Sequence, residues 1–413
     1  MRANPDSPRI EPQPWMTEPA TRDVFEALAV GGAEARFVGG SVRDALLGGE
    51  IEDIDIATPA LPEQVIELLQ KRGIKVAPTG LAHGTVTAIA GSPERHFEIT
   101  TLRRDVETYG RRARVAFDAD WAADAARRDF TINAIYLDPD GTIHDPVGGL
   151  ADLWARRVRF VGDPATRIAE DVLRILRYYR FEARFGAGTG NPQARIACRT
   201  AAHLLPNLSA ERVAQELVKL LETRDPAPAL QMMEEDGVLS VILPEGRRLG
   251  RLRQMISIEP QPDPLRRLAA LIDVDNGGAI SVAERLRLSN ASRDRLLGLA
   301  APWRLIDPQG DASAQRRAVY WLGAARYRDL VLLSAAEGAM SRDRMDELLA
   351  LARDWTPPAF PLTGRDVTAL GVSPGPQVGR LIEEVRHWWE DSDFAADRDA
   401  CLAYLKEISI GSR

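Results

Sequence analysis

The sequence predicts an α+β protein, a small mixed α/β head followed by an all-α neck, body and tail, and three observations carry that expectation. Short alternating apolar runs interleaved with amphipathic helical stretches occupy residues 20–140. Helical periodicity takes over after Gly148-Gly149 and holds to the end. The chain of 413 residues, with 45% hydrophobic and 27% charged side chains, is long enough for several domains of ordinary globular composition.

The elements follow in order. MRANPDSPRIEPQPW opens the chain with several prolines and no apolar stretch, so residues 1–18 are expected to be a disordered arm and not a signal peptide. Residues 20–30 have helical spacing, 36–38 read as a short strand, 42–47 as a helix and 53–57 as an alternating strand. Residues 61–72 form an amphipathic helix, and 84–90, 96–102 and 132–137 are three further β-type runs. Helices are expected over 164–184, 209–223, 227–236 and 264–274, with Ser209 placed as an N-cap. WTPPAFP at 355–361 reads as a linker or sharp bend. The expected boundaries are a head over 19–140, a neck over 141–225, a body over 226–354 and a helical tail over 355–413. No period of 20–50 residues suggests a solenoid.

Bulk composition excludes some classes. A formal net charge of -7 means that a nucleic-acid partner must be met by a local basic patch, for which the arginine-rich stretch 156–184 is a candidate. The two cysteines, Cys198 and Cys401, are too far apart in sequence to suggest a metal cluster and are expected as reduced thiols in a cytoplasmic protein. No run of about 18 apolar residues offers a membrane span.

One short segment carries the chemistry. In a strand, residues i and i+2 share a face, so Asp53 and Asp55 in EDIDIAT stand side by side while Ile54 and Ile56 point to the core. Two such carboxylates repel each other unless a cation sits between them, and oxygen ligands of this kind suit Mg²⁺. An exposed strand edge with chance acids reads the same way, and the glycines tip the balance. A strand, then Gly39-Gly40, Ser41 and a helix start present backbone N–H groups where phosphate binds, with Gly40 allowing close approach. Arg43, one turn in, is placed to pair with phosphate oxygens. Neither G-x-G-x-x-G nor the P-loop pattern is present. A phosphate cradle beside an acid pair points to nucleotidyl transfer. Glu98, between Phe97 and Ile99 in HFEITT, is the candidate third acid from a neighbouring strand.

These motifs, in this order, resemble the class II nucleotidyltransferases that comprise the bacterial tRNA CCA-adding enzymes and poly(A) polymerases. GGSVRDALLG (39–48) and EDIDIAT (52–58) are followed by HGTV (83–86), EITTLR (98–103), RRDFTINAI (127–135) and HDPVGG (144–149). EDVLRILRYYRF (170–181), LSAERV (208–213) and LTGRDV (362–367) extend the likeness into the helical part. The resemblance implies a polymerase-β-like head. It departs at Ala113, where the family often has proline, which leaves the 105–117 loop open. His144-Asp145 is not read as an HD phosphohydrolase, which needs several more spaced ligands than five histidines in the chain can supply.

The resemblance also implies that E-D-x-x-R, here Glu170, Asp171 and Arg174, serves as a protein template for the incoming base. On one helix, Asp171 and Arg174 are i,i+3 neighbours. A carboxylate accepts from an exocyclic amine and a guanidinium donates to the adjacent ring nitrogen, a pattern shared by cytosine and adenine and refused by guanine and uracil. By the same correspondence Arg128, Arg177 and Arg180 line the nucleotide, Asp129 and Asn133 brace the head–neck junction, and His83 makes a structural hydrogen bond. The reading implied is a Mg²⁺-dependent, template-independent RNA nucleotidyltransferase. It acts on the tRNA 3′ end with CTP and ATP, and its helical body grips the RNA by shape and phosphate contacts. Poly(A), CC-only or A-only addition is the near alternative, and a non-catalytic RNA-binding adaptor the distant one; oligomeric state stays open.

Overall fold

The computed structural model describes residues 9–410 apart from 52, 82, 83, 110, 111 and 118, and describes the backbone alone for 78, 79, 104–109 and 112–116. The chain divides into two compact units, Met1–Pro244 and Glu245–Arg413.

Among the described residues of the first unit, nine strands form one sheet of seven and one hairpin. They are β1 (Arg36–Val38), β2 (Ile54–Thr58), β3 (Lys75–Gly80), β4 (Thr85–Ala90), β5 (Arg95–Thr101), β6 (Arg103–Tyr109), β7 (Arg112–Phe117), β8 (Tyr136–Leu137) and β9 (Ile143–His144). The sheet order is β3-β4-β5-β2-β1-β8-β9, and β6-β7 is the hairpin. Its one parallel pair, β2 with β5, needs a crossover, which the helix Pro62–Lys71 and the β3-β4 hairpin supply. That helix and Pro19–Val30 pack on the sheet, where Val24, Leu28, Val65 and Leu69 join Ile54, Ile56, Phe97 and Ile99 in the core. The opposite sides of β2 and β5 are thereby left to the polar residues of the alternation.

Several expectations are corrected. The arm is ordered from residue 9: Ile10 donates to the Gly141 carbonyl, Trp15 and Met16 are buried, and Trp15 packs edge-on against Phe37. Two apolar anchors outweigh the prolines there. The run at 132–137 is a 3₁₀ turn, Thr131–Asn133, followed by only the two residues of β8. β3, the hairpin and β9 were not expected. The helix expected over 164–184 is two, Pro164–Glu170 and Arg174–Phe185, because Asp171 takes an extended conformation between them. Ser209 precedes the helix Ala210–Leu221 as placed, but its side chain makes no cap hydrogen bond. Cys198 and Cys401 are both buried and free.

The regular elements among the described residues of the second unit are all helices. Arg266 and Arg267, almost fully buried, share Glu259, and Arg266 and Arg295 share Asp329, so the buried charges are paired. Leu362, Val367, Leu381, Trp389 and Leu405 form a separate apolar cluster near the end of the chain.

A candidate active site on the head sheet and neck helices

In the parallel pairing of β2 with β5, Asp55 lies directly opposite Glu98, so the two carboxylates share one face of adjacent strands. Thr87 on β4 continues the row beyond Glu98. Asp53 lies just before β2, which begins at Ile54, and its side chain is exposed. The Asp55 carboxyl is pushed up to about 6, by burial first and then by Glu98 and Asp53, while Arg128 and the Gly40 N–H act in the opposite sense.

The glycine pair serves the acid as well as any ligand. Gly39 has φ +74°, and a Cβ there would lie 3.2 Å from Asp55 Oδ2 and 3.8 Å from Arg128 Nη1. A side chain at 39 would press on the carboxylate from a backbone conformation that favours glycine. The Gly40 N–H donates to Asp55, so it is not the free phosphate donor that the sequence suggested. Arg43 is likewise engaged: its guanidinium donates to both oxygens of Asp44 at 2.9 Å, to Asn133 Oδ1 at 2.5 Å, and lies 4.0 Å over the Phe185 ring. It ties the head to the helix Arg174–Phe185.

The RRD segment closes the site from another side. Arg128 is held by Asp124, through Nε at 3.1 Å and Nη2 at 3.0 Å. Asp129 accepts from Asn133 Nδ2, its own Phe130 N–H and Arg177; burial pushes its carboxyl up, and the Arg177 charge more than reverses this.

The expected base-reading pair is present but differently built. Asp171 ends the helix Pro164–Glu170, whereas Arg174 begins the next, so the i,i+3 geometry of a single helix does not apply. Asp171 Oδ2 accepts from Arg212 at 2.7 Å and Oδ1 from the Leu173 N–H at 3.1 Å. Arg174 Nη1 is held by Glu170 and by the Arg167 carbonyl, leaving Nε and Nη2 without a partner among the described residues. Arg177 pairs with Asp129, and Arg180 with Glu216 at 2.6 Å. His83 lies outside the described residues, and the side chains of the 105–114 segment are not described. Asp124, Arg212 and Glu216 are not among the site residues expected from the sequence, although Arg212 lies within LSAERV. The i,i+3 and i,i+4 spacing of Asp124 to Arg127 and Arg128 was the available signal for the first.

Among the described residues no three or more His, Cys, Asp or Glu side chains converge as a ready metal cage. Asp53, Asp55 and Glu98 form an open donor row instead, of the type that suits an ion also taking oxygens from a bound phosphate. His144, by contrast, sits with its Nε2 2.7 Å from Asp138 at the β8-β9 corner, away from this row.

A mixed sheet with acids on adjacent central strands, beside a glycine turn and a buried arginine, is a head suited to nucleotidyl transfer. Comparison with known proteins gives the same class. Residues 35–159 match the "Poly A polymerase head domain" and residues 191–249 the "Probable RNA and SrmB- binding site of polymerase A". The chain is 35% identical over 385 residues to the mitochondrial CCA tRNA nucleotidyltransferase 1 of Danio rerio, covering 91% of this chain and 87% of that one. It is 31% identical over 401 residues to the CCA-adding enzyme of Levilactobacillus brevis, covering 94% and 97%. The crystal structure of the Bacillus stearothermophilus CCA-adding enzyme in complex with CTP superposes with a TM-score of 0.81 at 28% identity, covering 96% of this chain and 99% of that one. The chain belongs to the family of class II CCA-adding enzymes and poly(A) polymerases.

Proposed function

We propose that this chain is a template-independent RNA nucleotidyltransferase that builds or repairs the 3′-terminal CCA of tRNA from CTP and ATP. The observation that carries the chemistry is the Asp55–Glu98 register, like charges set side by side with Asp53 adjacent and no opposite charge paired to them among the described residues. The full-length relatives supply the substrate class through their names.

In this reading Asp53 and Asp55 hold Mg²⁺, with Glu98 beside them. Bound there, the ion supplies Lewis acidity at the primer 3′-hydroxyl and the triphosphate. The chain's own residues do the rest. Gly40 fixes the Asp55 carboxylate through its N–H. Arg128 presents Nη1 to phosphate oxygen, and Arg43 holds the glycine helix against the neck. Asp171 accepts the exocyclic amine of cytosine or adenine with the lone pairs that Arg212 and Leu173 leave unfilled. Arg174 donates to the ring nitrogen from Nε or Nη2. Guanine and uracil set an N–H against that donor, and the mismatch leaves buried polar groups unpaired. Arg177 and Arg180 support the template through Asp129 and Glu216.

No helix of the described residues is long and apolar enough to cross a membrane. We place the protein in the cytoplasm on its two buried free thiols, a compartment that cell fractionation would separate from the mitochondrion named for the zebrafish relative.

The deciding assay uses tRNA lacking its 3′ end. CTP alone should add two residues, and ATP one more, after which addition stops. A long A tail on arbitrary RNA with little use of CTP would establish a poly(A) polymerase. No addition of any nucleotide, with RNA still bound, would establish an adaptor.

A further inference from the structure

Asp124 is buried, 1% exposed, on the helix Trp121–Arg127, and every oxygen it has is occupied. Oδ1 takes Arg127 through Nε at 2.8 Å and Nη2 at 2.6 Å. Oδ2 takes Arg128 through Nε and Nη2, and the Tyr136 hydroxyl at 2.8 Å. Burial pushes this carboxyl up, and the Arg128 and Arg127 charges together hold it below its ordinary range. The Arg128 guanidinium is thus gripped along one edge, 5.4 Å over the Tyr136 ring. Its backbone is gripped too, since Arg167 Nη2 donates to the Arg128 carbonyl at 2.8 Å.

The remaining nitrogen, Nη1, has no partner among the described residues, and it lies with Asp55 Oδ2 within 4 Å of one point, the place of a Cβ on Gly39. An arginine so close to a partly buried carboxylate normally closes on it as a two-pronged pair. Here it does not, because its ion pair is already made with Asp124. An Asp55 neutralised by Arg128 would have its lone pairs filled and would offer little to a divalent cation.

We propose that Asp124 is a positioning residue that keeps the Arg128 guanidinium off Asp55 and turns Nη1 toward the nucleotide phosphates. This rests on the nucleotidyl-transfer reading of the same site. Asp124 touches neither substrate nor reacting atoms; it acts through Arg128, and Tyr136 supports it by donating to the same oxygen. One buried acid thereby keeps two functions of the site separate, the anionic row for a cation and the cationic nitrogen for a triphosphate.

The test is a double-mutant cycle on the full chain with two binding readouts, neither of them turnover. CTP binding is measured by calorimetry with Mg²⁺ and no RNA, and Mn²⁺ binding by the electron spin resonance signal of the free ion. Asp124→Asn should weaken both, each by about tenfold, the scale of losing a residue that orients a ligating group. Arg128→Ala should weaken CTP binding but leave Mn²⁺ binding intact or tighter. The double variant should recover Mn²⁺ binding and bind CTP no more weakly than Arg128→Ala alone. Tyr136→Phe, which removes one hydroxyl, should show the Asn effects on a smaller scale and decides the matter if Asp124→Asn does not fold. Mn²⁺ binding unchanged in Asp124→Asn, or losses that simply add to those of Arg128→Ala, would overturn the proposal. If the wild-type chain shows these couplings yet adds nothing to trimmed tRNA, the functional reading falls and the positioning role stands.

Discussion

The head sheet and the neck turn treat charge in opposite ways. Across β2 and β5, Asp53, Asp55 and Glu98 lie together, and no ion pair among the described residues reaches any of them. In the neck, each charged residue of the segment proposed to read the base is paired: Arg174 with Glu170, Asp171 with Arg212, Arg177 with Asp129 and Arg180 with Glu216. The head stores repulsion, which together with burial raises the Asp55 carboxyl to about 6. The neck stores none and is complete before any ligand arrives. A site that must attract an ion profits from uncompensated charge, and a template that must discriminate between bases profits from groups already fixed in place.

The largest effect expected from this contrast is in the head. Asp55→Ala should cost several kcal/mol of transition-state stabilisation, about a thousandfold or more in turnover, while tRNA binding persists. Single-turnover transfer and a filter-binding assay measure the two separately, and near-normal turnover with Mg²⁺ would break the contrast at its strong end. In the neck, Asp171→Ala or Arg174→Ala should loosen discrimination by about 2–3 kcal/mol with a smaller loss in triphosphate binding. Arg212→Ala, which removes only the partner of Asp171, should give a weaker version of the same loss. Equal rejection of UTP and GTP in all three variants would show that the neck does not read the base.

A third expectation concerns the glycine turn that faces the acids. Gly39→Ala forces a Cβ to 3.2 Å from Asp55 Oδ2 at φ +74°. It should cost about 2 kcal/mol in stability and depress Mg²⁺-dependent turnover well beyond what that loss explains. Gly40→Ala, whose nearest neighbour is Arg43 Nη2 at an ordinary contact distance of 3.6 Å, should be milder in both measurements.

How much of this could be read in advance depended on the range of the interactions. The Ile54/Ile56 alternation and the helices around it are local, and β1, β2 and the helix Pro62–Lys71 fell within a residue or so of their expected bounds. Glu98 could be proposed from alternation alone, but its place opposite Asp55 is a register that only the parallel pairing supplies. Gly39 also faces the Asp55 carboxylate of the neighbouring strand, a constraint that no local pattern shows. The break at Asp171 was invisible to periodicity, since the apolar spacing of Ile168, Ile175 and Tyr178 runs through it. At the break Asp171 is extended and pairs with Arg212, 41 residues away, a contact no local pattern shows. β9 and the hairpin escape periodicity for other reasons, one too short to show a period and the other too polar.

The smallest expected effect adds a third way for an acid to sit in this fold. Glu182, on the helix that Arg174 begins, is buried, accepts from the Tyr178 hydroxyl at 3.1 Å and has no cation within ion-pair distance among the described residues. Burial pushes its carboxyl up to about 7, against smaller opposing effects of the Tyr178 hydroxyl and the more distant Arg195 charge. Where Asp55 lies among like charges and Asp171 beside a cation, Glu182 is shifted toward its protonated form by burial. Its folded-state value lies above the unfolded one, so the native state binds the extra proton between the two. The stability this contributes is therefore full below about 4.5 and is lost as pH rises through about 7. The shift corresponds to at most about 3 kcal/mol, and relaxation around the charge will reduce it. Glu182→Gln keeps an acceptor for Tyr178 and carries no charge at any pH. Its melting temperature should match wild type near pH 5 and exceed it by a few degrees at pH 8, with selectivity among the four nucleotides unchanged at the pH where the stabilities agree. A Glu182→Gln melting temperature that falls between pH 5 and 8 as steeply as that of wild type would remove Glu182 from this scheme and leave the contrast between head and neck as it stands.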